Sequence, residues 1–451
     1  MTKTLPKILI VGGGFAGLQV AKALRHAEID LTLVDRRNHH LFQPLLYQVA
    51  TASLTPAEIS APIRSILRKQ KNCQVLLAQV HSVDVEKRRL MFHDGYVQYD
   101  YLVLAAGARH AYFGHDEWEK YAPGLKSLED ATELRRRILL AFETAEFEGS
   151  EKARIAALTF GIVGAGATGV ELAGAIMEIA GKTLPHDYKH IDTRNTRVVI
   201  FEGTDRVLPP FPPELSKRAQ RDLERMGVEI HLNSIVTNIQ PHGVSVGNRF
   251  FPMQNVFWAA GVQASPLAKG LGVPLDRAGR VIVGPDLSIP GHREVFVLGD
   301  MAAAKWGDAG KSGGTARMIP GVAPAAIQMG QYAGYIILKE LADKTVADHR
   351  PPFKYRDKGS LAVIGRTQAV AHVGKLKIGG FGAWLLWAVV HISFLIGFRN
   401  RVSVMFRWFW NWLLNAHDSR LIIGPVRLDI DTPRSADFVP LETQPERGES
   451  I

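Results

Sequence analysis

The sequence predicts an α/β protein with two Rossmann-like domains and a C-terminal membrane-associating module. Two glycine-rich loops predict the paired domains: GGGFAG at 12–17 and GAGATG at 164–169 each directly follow a short apolar strand. One such loop is a weak indicator, whereas two copies in a strand–loop–helix context are typical of two dinucleotide sites. A tryptophan-rich apolar stretch near the C-terminus predicts the additional module.

The first unit places Gly12, Gly14 and Gly17 directly after the apolar strand KILIV. The first glycine permits a tight turn, the second lets the backbone approach a pyrophosphate, and the third lets the helix pack closely on the strand. The helix N-terminus offers free N–H groups and a positive dipole end to phosphates. Asp35 ends the next strand at about the 20-residue spacing expected for a ribose-binding acid. The alternative role for Asp35 is a solvated strand end.

The second unit repeats the pattern with Gly164, Gly166 and Gly169, and Glu202 ends the following strand. The interval exceeds that of a minimal unit because a polar, irregular insert occupies 182–196. A carboxylate at position 202 repels a 2′-phosphate, which favours NADH over NADPH.

Composition excludes several classes of protein. The 451 residues, 46% of them hydrophobic, can form two or three globular domains rather than a disordered or fibrous chain. Cys73 is the only cysteine, so the sequence has neither a disulfide framework nor a dithiol redox centre. We predict no metal site. The N-terminus shows no signal or transit pattern, so we expect the folded part to stay in the compartment of its synthesis.

The net charge of +10 is dispersed and no nucleic-acid motif accompanies it, so we expect an anionic membrane surface rather than nucleic acid as the partner. Residues 381–398 carry no formal charge, and five of the eight tryptophans lie within 381–414. His391 in mid-segment, together with tryptophans that mark interfaces, favours surface insertion over spanning. A spanning helix and a buried or dimer-interface helix pair remain alternatives.

The rest of the chain fits an interrupted domain plan. In chain order we predict a hairpin at 74–95, a strand at 99–108, a helix at 130–148, a strand at 255–262, a buried strand within 295–303 that ends at Gly299 and Asp300, and a helix from about 323 to 341. Pro324 lies in the first turn of that last helix, where proline is favoured. A strand-rich region at 353–374 precedes the apolar stretch.

Several longer strings identify a family. They are HHLFQPLLYQVAT (39–51), VGAGATGVELAG (163–174), FEGTDRVLPPFPPELS (201–216), WAAGV, VFVLGDMA, KGSLAVIGR (358–366) and HISFLIGFRNR (391–401). With these strings the chain resembles the type II NADH:quinone oxidoreductases (NDH-2), which are single-subunit flavoproteins with two dinucleotide-binding domains. The resemblance extends to about residue 430.

The resemblance implies an FAD-binding domain interrupted by an NADH-binding domain. The implied divisions are 1–120 and 290–345 for FAD, 121–289 for NADH, 346–430 for the C-terminal domain with an amphipathic anchor at about 381–414, and 431–451 for a mobile tail.

On the flavin side, the resemblance assigns Gly12, Gly14, Gly17 and Asp35 to the adenosine and pyrophosphate of FAD. Ala105 and Gly107 belong to the family's ATG turn, in which Ala106 here replaces the hydroxyl residue. Asp300 would bind the ribityl or pyrophosphate region, its alternative role being a strand-end cap. The helix that starts near Ala323 would direct its N-terminus at the N1 and C2=O edge of the flavin.

On the donor side, the resemblance assigns Gly164, Gly166, Gly169 and Glu202 to NADH, with Ala260 and Gly261 near its path. Three further residues are catalytic candidates by the same resemblance. Glu171 would couple protons or charge near the nicotinamide and the quinone, or would simply be a favourable first-turn acid. Gln328 matches the second glutamine of the family's AQxxxQ quinone motif, whose first glutamine is Pro324 here.

Lys358 matches a lysine near the flavin, with a solvated loop cation as the equal alternative. His391 is a proton donor near the quinone or, more commonly for such a histidine, a packed interfacial residue.

The implied function is the transfer of hydride from NADH to FAD and the two-electron reduction of a membrane quinone, without proton pumping. Quinone would enter through a tunnel lined by the 39–51 loop and the C-terminal region. The implied location is peripheral, on the cytoplasmic face of the inner (plasma) membrane, with a homodimer as a further possibility. The alternatives are a reductase of a soluble protein carrier and a non-catalytic nucleotide-sensing flavoprotein.

Overall fold

A computed structural model describes residues 5–306, 317–344, 349–414 and 419–423. The tail predicted at 431–451 lies outside these ranges. The helices are α1 (Phe15–Ala23), α2 (Leu46–Ala50), α3 (Ile63–Leu67), α4 (Leu128–Phe147), α5 (Glu151–Ala157), α6 (Ala167–Glu178), α7 (Pro213–Arg225), α8 (Ala323–Asp343), α9 (Phe381–Phe394) and α10 (Phe398–Leu414).

The strands are short, and most of them belong to two parallel sheets or to small antiparallel sheets. They are β1 (Lys7–Val11), β2 (Asp30–Asp35), β3 (His39–Leu41), β4 (Ser60–Pro62), β5 (Cys73–Leu77), β6 (Ser82–Asp84), β7 (Arg89–Phe92), β8 (Gly95–Gln98), β9 (Tyr101–Leu104), β10 (Ala108–His110), β11 (Thr159–Val163), β12 (Arg197–Phe201), β13 (Val228–His231), β14 (Val236–Gln240), β15 (Gly243–Val246), β16 (Arg249–Pro252), β17 (Asn255–Trp258), β18 (Val262–Ala264), β19 (Val281–Ile282), β20 (Ser288–Ile289), β21 (His292–Val297), β22 (Ala302–Ala303), β23 (Lys305–Trp306), β24 (Arg317–Met318), β25 (Ser360–Gly365), β26 (Gln368–Val373) and β27 (Leu376–Gly379).

The first sheet has six strands in the order β20-β21-β9-β1-β2-β5, and every pairing except β20 with β21 is parallel. Its strands are apolar on both faces, as parallel strands covered on two sides require. Ile8 and Ile10 belong to the core shared with α1 and α8, whereas Leu9 and Val11 belong to the opposite core. Both cores therefore hold β1, and with it the first glycine loop.

The second sheet is fully parallel, in the order β13-β12-β11-β17. Strand β11 leads into the second glycine loop and α6. The insert predicted at 182–196 consists of short 3₁₀ turns after a π-helical turn at Ile179–Thr183. This irregular segment explains the long interval before Glu202.

The structure corrects three sequence predictions. The segment 99–108 is not one strand, because β9 ends at Leu104 and a separate strand, β10, begins at Ala108. The segment 74–95 is not one hairpin, because β5 joins the first sheet while β6, β7 and β8 form a separate antiparallel sheet. The segment 255–262 is not one strand, because β17 ends at Trp258 and β18 instead pairs with β10. A sequence with continuous apolar character does not reveal where its hydrogen-bonding partner changes.

The antiparallel sheet β25-β26-β27 packs on α6. A Cβ atom at Gly174 would overlap the carbonyl oxygen of Ile364, so glycine permits the close contact between this helix and β25. Helix α9 packs on β26 and buries Ala383 and Trp387. Within the described ranges, no helix combines the length and the apolarity needed to cross a bilayer.

Candidate functional site

The first glycine loop is a tight cradle with one open side. Gly12 has a φ of +105°, and a Cβ there would overlap the carbonyl oxygen of Ala105. A Cβ at Gly17 would overlap the carbonyl oxygen of Gly12, whereas a Cβ at Gly14 would meet nothing within 4 Å. Position 14 therefore faces open space at the uncapped N-terminus of α1.

The second loop repeats this geometry. Gly164 has a φ of +103°, and a Cβ there would lie 2.7 Å from the carbonyl oxygen of Ala259 and from the Cα of Ala260. A Cβ at Gly169 would overlap the carbonyl oxygen of Gly164, and one at Gly166 would meet nothing within 4 Å. Helix α6 also has no side-chain cap. Each loop therefore has two glycines crowded by the backbone and one glycine that faces open space.

Each cradle has a carboxylate fixed at its edge. Asp35 accepts hydrogen bonds from the backbone N–H of Gly13 at 2.6 Å and of Arg37 at 2.7 Å. Glu202 accepts the corresponding bonds from Ala165 at 2.7 Å and Thr204 at 2.9 Å. The backbone thus orients both acids toward the loops, where a dinucleotide places a ribose.

The elements predicted for the rest of the flavin site lie beside the first cradle. Gly107 has a φ of +69° in the turn after β9, and the backbone N–H of Ala106 contacts the sulfur of Met301. The carboxylate of Asp300 lies 3.4 Å from the ammonium group of Lys126. Helix α8 begins at Ala323, as predicted, and has no side-chain cap.

The position of α8 depends on a close helix pair. Cβ atoms at Gly330 and Gly334 would collide with Ala16 and Ala23 of α1. These two glycines let α8 lie directly on the helix that begins at the first loop. The open Gly14 and Gly166 positions, the uncapped helix N-termini and the oriented acids together fit two dinucleotides.

A cleft that opens to solvent lies between α2, α6, β25 and the two C-terminal helices. Its lining combines aromatic and ionisable side chains: Tyr47, Gln48, Ser53, Glu171, Ala175, Glu178, Lys182, Val363, Ile364, Gly365, Arg366, Trp384, Trp387, Trp408 and Asn411. Apolar walls with a few converging polar groups are typical of a small-molecule site.

Glu171 faces this cleft. Burial raises the pKa of its carboxyl to about 8, although a 3.4 Å hydrogen bond from the N–H of Val363 acts to lower that pKa. At pH 7 the group is therefore a neutral acid that can donate a proton. Glu171 is the fifth residue of α6, so the alternative role as a first-turn acid is wrong.

One wall of the cleft is hydrogen-bonded to α10. The indole N–H of Trp408 donates to Gln48 Oε1 at 2.7 Å, and Gln48 Nε2 donates to the hydroxyl oxygen of Tyr47 at 3.0 Å. Burial, with the nearby Glu171, raises the pKa of Tyr47 well above its usual value, so its hydroxyl stays protonated. These contacts fix the tyrosine and the glutamine relative to the C-terminal helices.

Two more contacts hold the same segment. Glu58 accepts hydrogen bonds from Ser403 at 2.9 Å and from Arg407 at 2.8 Å. Arg135 is buried and donates to the backbone carbonyls of Val49 and Leu54. A buried polar group that loses its hydrogen-bond partner destabilises the folded protein. These bonds therefore hold the 46–58 segment in one conformation.

The structure does not bring the other two catalytic candidates to this cleft. The amide of Gln328 donates to the carbonyls of Pro324 and Arg356 and accepts from the N–H of Arg356, so it tethers the chain at 356. Lys358 is exposed and does not line the cleft. His391 bonds the carbonyl of Trp387 at 2.7 Å, and burial lowers its pKa to about 4, which matches the packed alternative.

Sequence reasoning missed Gln48, Glu178, Lys182 and Trp408 as individual site residues. The spacing of Glu178, seven residues after Glu171, places both acids on one helix face and could have identified it. No sequence signal joined Trp408 to Gln48, because that pairing is purely tertiary.

Comparisons with known proteins agree with this arrangement. Residues 6–330 match the family model described as pyridine nucleotide-disulphide oxidoreductase, and residues 358–416 match the NDH2 C-terminal domain. Two type II NADH:quinone oxidoreductases of Mycobacterium tuberculosis, Ndh and NdhA, are 45% and 44% identical to the chain; each match covers 89% of this chain, and 87% and 86% of those proteins. The structure of NDH2 from Plasmodium falciparum in complex with NADH has the same fold, with a TM-score of 0.82 at 20% identity over 93% of this chain and 100% of that one.

The disulphide chemistry in the first description does not apply here. Cys73, the only cysteine, lies on β5, and burial raises the pKa of its thiol to about 11. A single protonated thiol cannot form the redox-active pair that disulfide reduction needs.

A matched pair of substitutions separates the two cradles. We expect Gly14→Val to abolish FAD binding and Gly166→Val to leave FAD bound while weakening NADH binding at least about tenfold, because each side chain would fill only its own open space. Flavin absorbance after desalting measures the first effect, and titration with NADH measures the second. Loss of FAD in Gly166→Val with an intact fold would contradict the separation.

Proposed function

We propose, from the premise that the chain belongs to the type II NADH:quinone oxidoreductase family, that the cleft beside Glu171 is the place where its quinone is reduced. The protein is a single-subunit, non-proton-pumping NADH:quinone oxidoreductase with FAD as cofactor. It takes a hydride from NADH and delivers two electrons to a quinone. When bound, FAD supplies the redox chemistry, and the protein supplies position and protons.

The domain division and the cofactor residues are part of this proposal. The six-stranded sheet takes β1, β2, β5 and β9 from before residue 121 and β21 from after residue 289, with β20 at the boundary itself; this supports an FAD domain (1–120 and 290–345) interrupted by an NADH domain. We assign the first cradle, Ala105, Gly107, Asp300 and the N-terminus of α8 at Ala323 to FAD. We assign the second cradle, Glu202, Ala260 and Gly261 to NADH.

The observation that carries the quinone assignment is the position of the 39–51 loop. Its His40 bonds the carbonyl oxygen of Gly13 in the first cradle at 3.0 Å, and its Tyr47 and Gln48 form the cleft wall. One short segment therefore connects the cofactor cradle to a cleft walled by tryptophans. Among the catalytic candidates, we retain Glu171 as the proton donor. We propose positioning roles for Gln328, which fixes the chain at 356, and for Lys358.

An anaerobic experiment tests the function. We expect NADH to bleach the flavin absorbance of the purified protein and a short-chain quinone to restore it. A flavin that NADH does not bleach would indicate a nucleotide-sensing protein. A bleached flavin that only a soluble protein carrier reoxidises would indicate a carrier reductase, and either result would contradict quinone reduction.

The charge of Glu202 determines the expected nucleotide preference. Glu202→Gln removes the repulsion of a 2′-phosphate, so we expect the ratio of kcat/KM for NADPH to that for NADH to rise about tenfold or more. Asp205→Asn, a neighbouring exposed carboxylate, is the matched control for net charge. An unchanged ratio in Glu202→Gln would mean that another residue distinguishes the two nucleotides.

A lipid surface is the partner that we propose for the C-terminal helices. Large apolar side chains are exposed along α9 and α10: Phe381, Leu385, Val389, Phe394, Phe398, Val402, Met405, Phe406, Phe409, Trp410 and Leu413. Arg399 and Arg401 lie in α10 and suit anionic headgroups. We place this surface on the cytoplasmic face of the inner membrane. A homodimer through the same helices stays a prediction.

Surface substitutions test the lipid contact without removing the buried Trp387. We expect Phe398→Ser, Phe406→Ser and Phe409→Ser together to weaken vesicle binding at least about 100-fold, because burial of each phenylalanine contributes about 1.5–3 kcal/mol. Flotation with anionic vesicles measures the binding. The control combines Leu77→Ser, Tyr96→Ser and Ile235→Ser, which are exposed apolar residues elsewhere. Equal flotation of both triple variants would contradict a lipid-binding role for α10.

A further inference from the structure

We propose that Glu178 and Lys182 form a proton entry path from solvent to Glu171 for quinone reduction in the cleft. This inference rests on the proposed function of the cleft. Glu178 and Lys182, neither of which belongs to a glycine loop, would supply the proton that the quinone takes up from water.

The stoichiometry of the reaction requires such a proton. NADH delivers two electrons and one proton as a hydride, and a quinone becomes a quinol by taking up two electrons and two protons. One proton per turnover therefore comes from water. In the proposed path Glu171 gives its proton to a quinone oxygen, the resulting carboxylate regains a proton by way of Glu178, and Glu178 regains one from water at Lys182.

Glu171, Glu178 and Lys182 follow one another along α6 and the turn after it, and all three line the cleft. Glu171 and Glu178 lie two turns apart on one face of α6, about 10 Å along its axis. Lys182 follows in the π-helical turn, a form that is frequent at functional sites. Its ammonium lies 3.6 Å from Glu178, and the exposed fraction of the side chain rises from 16% at Glu178 to 50% at Lys182.

The interval between the two acids lies within the cleft. Tyr47 lines this part of the cleft, and the carboxyl groups of Glu171 and Glu178 both act electrostatically on the Tyr47 hydroxyl. The Tyr47 hydroxyl can both donate and accept a hydrogen bond. Together with water in the open cleft, it can therefore bridge the roughly 10 Å between Glu171 and Glu178.

The charges favour proton movement toward Glu171. Burial raises the pKa of Glu178, while the N–H of Arg366 at 2.6 Å, the Lys182 ammonium and the Arg366 guanidinium oppose that rise. For Glu171, in contrast, burial raises the pKa to about 8 against the N–H of Val363. Of the two carboxyl groups, the deprotonated Glu171 is therefore the better proton acceptor.

The decisive variant is Glu178→Gln, which can still accept the hydrogen bond from Arg366 but cannot carry a proton. In anaerobic stopped-flow experiments we expect flavin bleaching by NADH at the wild-type rate. Reoxidation by a short-chain quinone should slow at least about tenfold, with a larger solvent deuterium effect and recovery on addition of formate. Quinone affinity, measured by quenching of the cleft tryptophans, should not change.

Two further variants complete the test. Glu146→Gln is the matched control, because Glu146 also accepts backbone N–H bonds but lies outside the cleft. Lys182→Met, at a half-exposed position, should slow the same step by a smaller factor. In the wild type, reoxidation should slow above about pH 8, because Glu171 then loses the proton that it donates.

Reoxidation of Glu178→Gln at the wild-type rate, or slow reoxidation that formate does not restore, would overturn the proton path. If Glu178→Gln fails to fold, a wild-type rate and deuterium effect in Lys182→Met would overturn it. Failure of quinone to reoxidise the wild-type flavin at any pH would instead contradict the proposed function itself.

Discussion

The contact between α6 and the C-terminal sheet is the interaction on which the rest of the structure depends. Gly174 lets the carbonyl of Ile364 lie directly against the helix, where any side chain would collide. The N-terminus of the same helix completes the second glycine loop, and its exposed face carries Glu171 and Glu178 into the cleft. A single helix thus sets the distance between the second glycine loop and the cleft, which we propose as the NADH and quinone sites, and a shift of about 1 Å would be enough to impair electron transfer between them.

The cleft that we propose for the quinone and the proposed lipid surface share helix α10. Helix α10 presents apolar side chains outward, while Trp408 bonds Gln48 in the cleft wall and Arg407 bonds Glu58 in the segment that follows it. A quinone that leaves lipid beside α10 would therefore meet the cleft without crossing bulk water. This arrangement suits an acceptor that is scarcely soluble in water.

The features that the sequence predicted well are those that local chemistry dictates. A glycine at position 12 or 164 is required by positive φ and by backbone contact. Asp35 follows from a strand end at the usual spacing, and Glu202 follows from a strand end once the insert at 182–196 is recognised. The features that it missed depend on distant partners. The split of β17 from β18, the tether at Gln328 and the bond from Trp408 to Gln48 join residues from separate elements. Hydrophobic pattern specifies that such residues are buried but not which partner they meet.

Photolabelling with an azido-quinone tests the central claim most directly, because it shows where the acceptor binds. The FAD-loaded protein on vesicles would be irradiated with the probe, digested and mapped by mass spectrometry. We expect adducts at Tyr47, Trp408 and residues 363–366, which excess unmodified quinone displaces. Displaceable adducts confined to the first turns of α8, beside Gln328, would contradict the assignment of the cleft to the quinone.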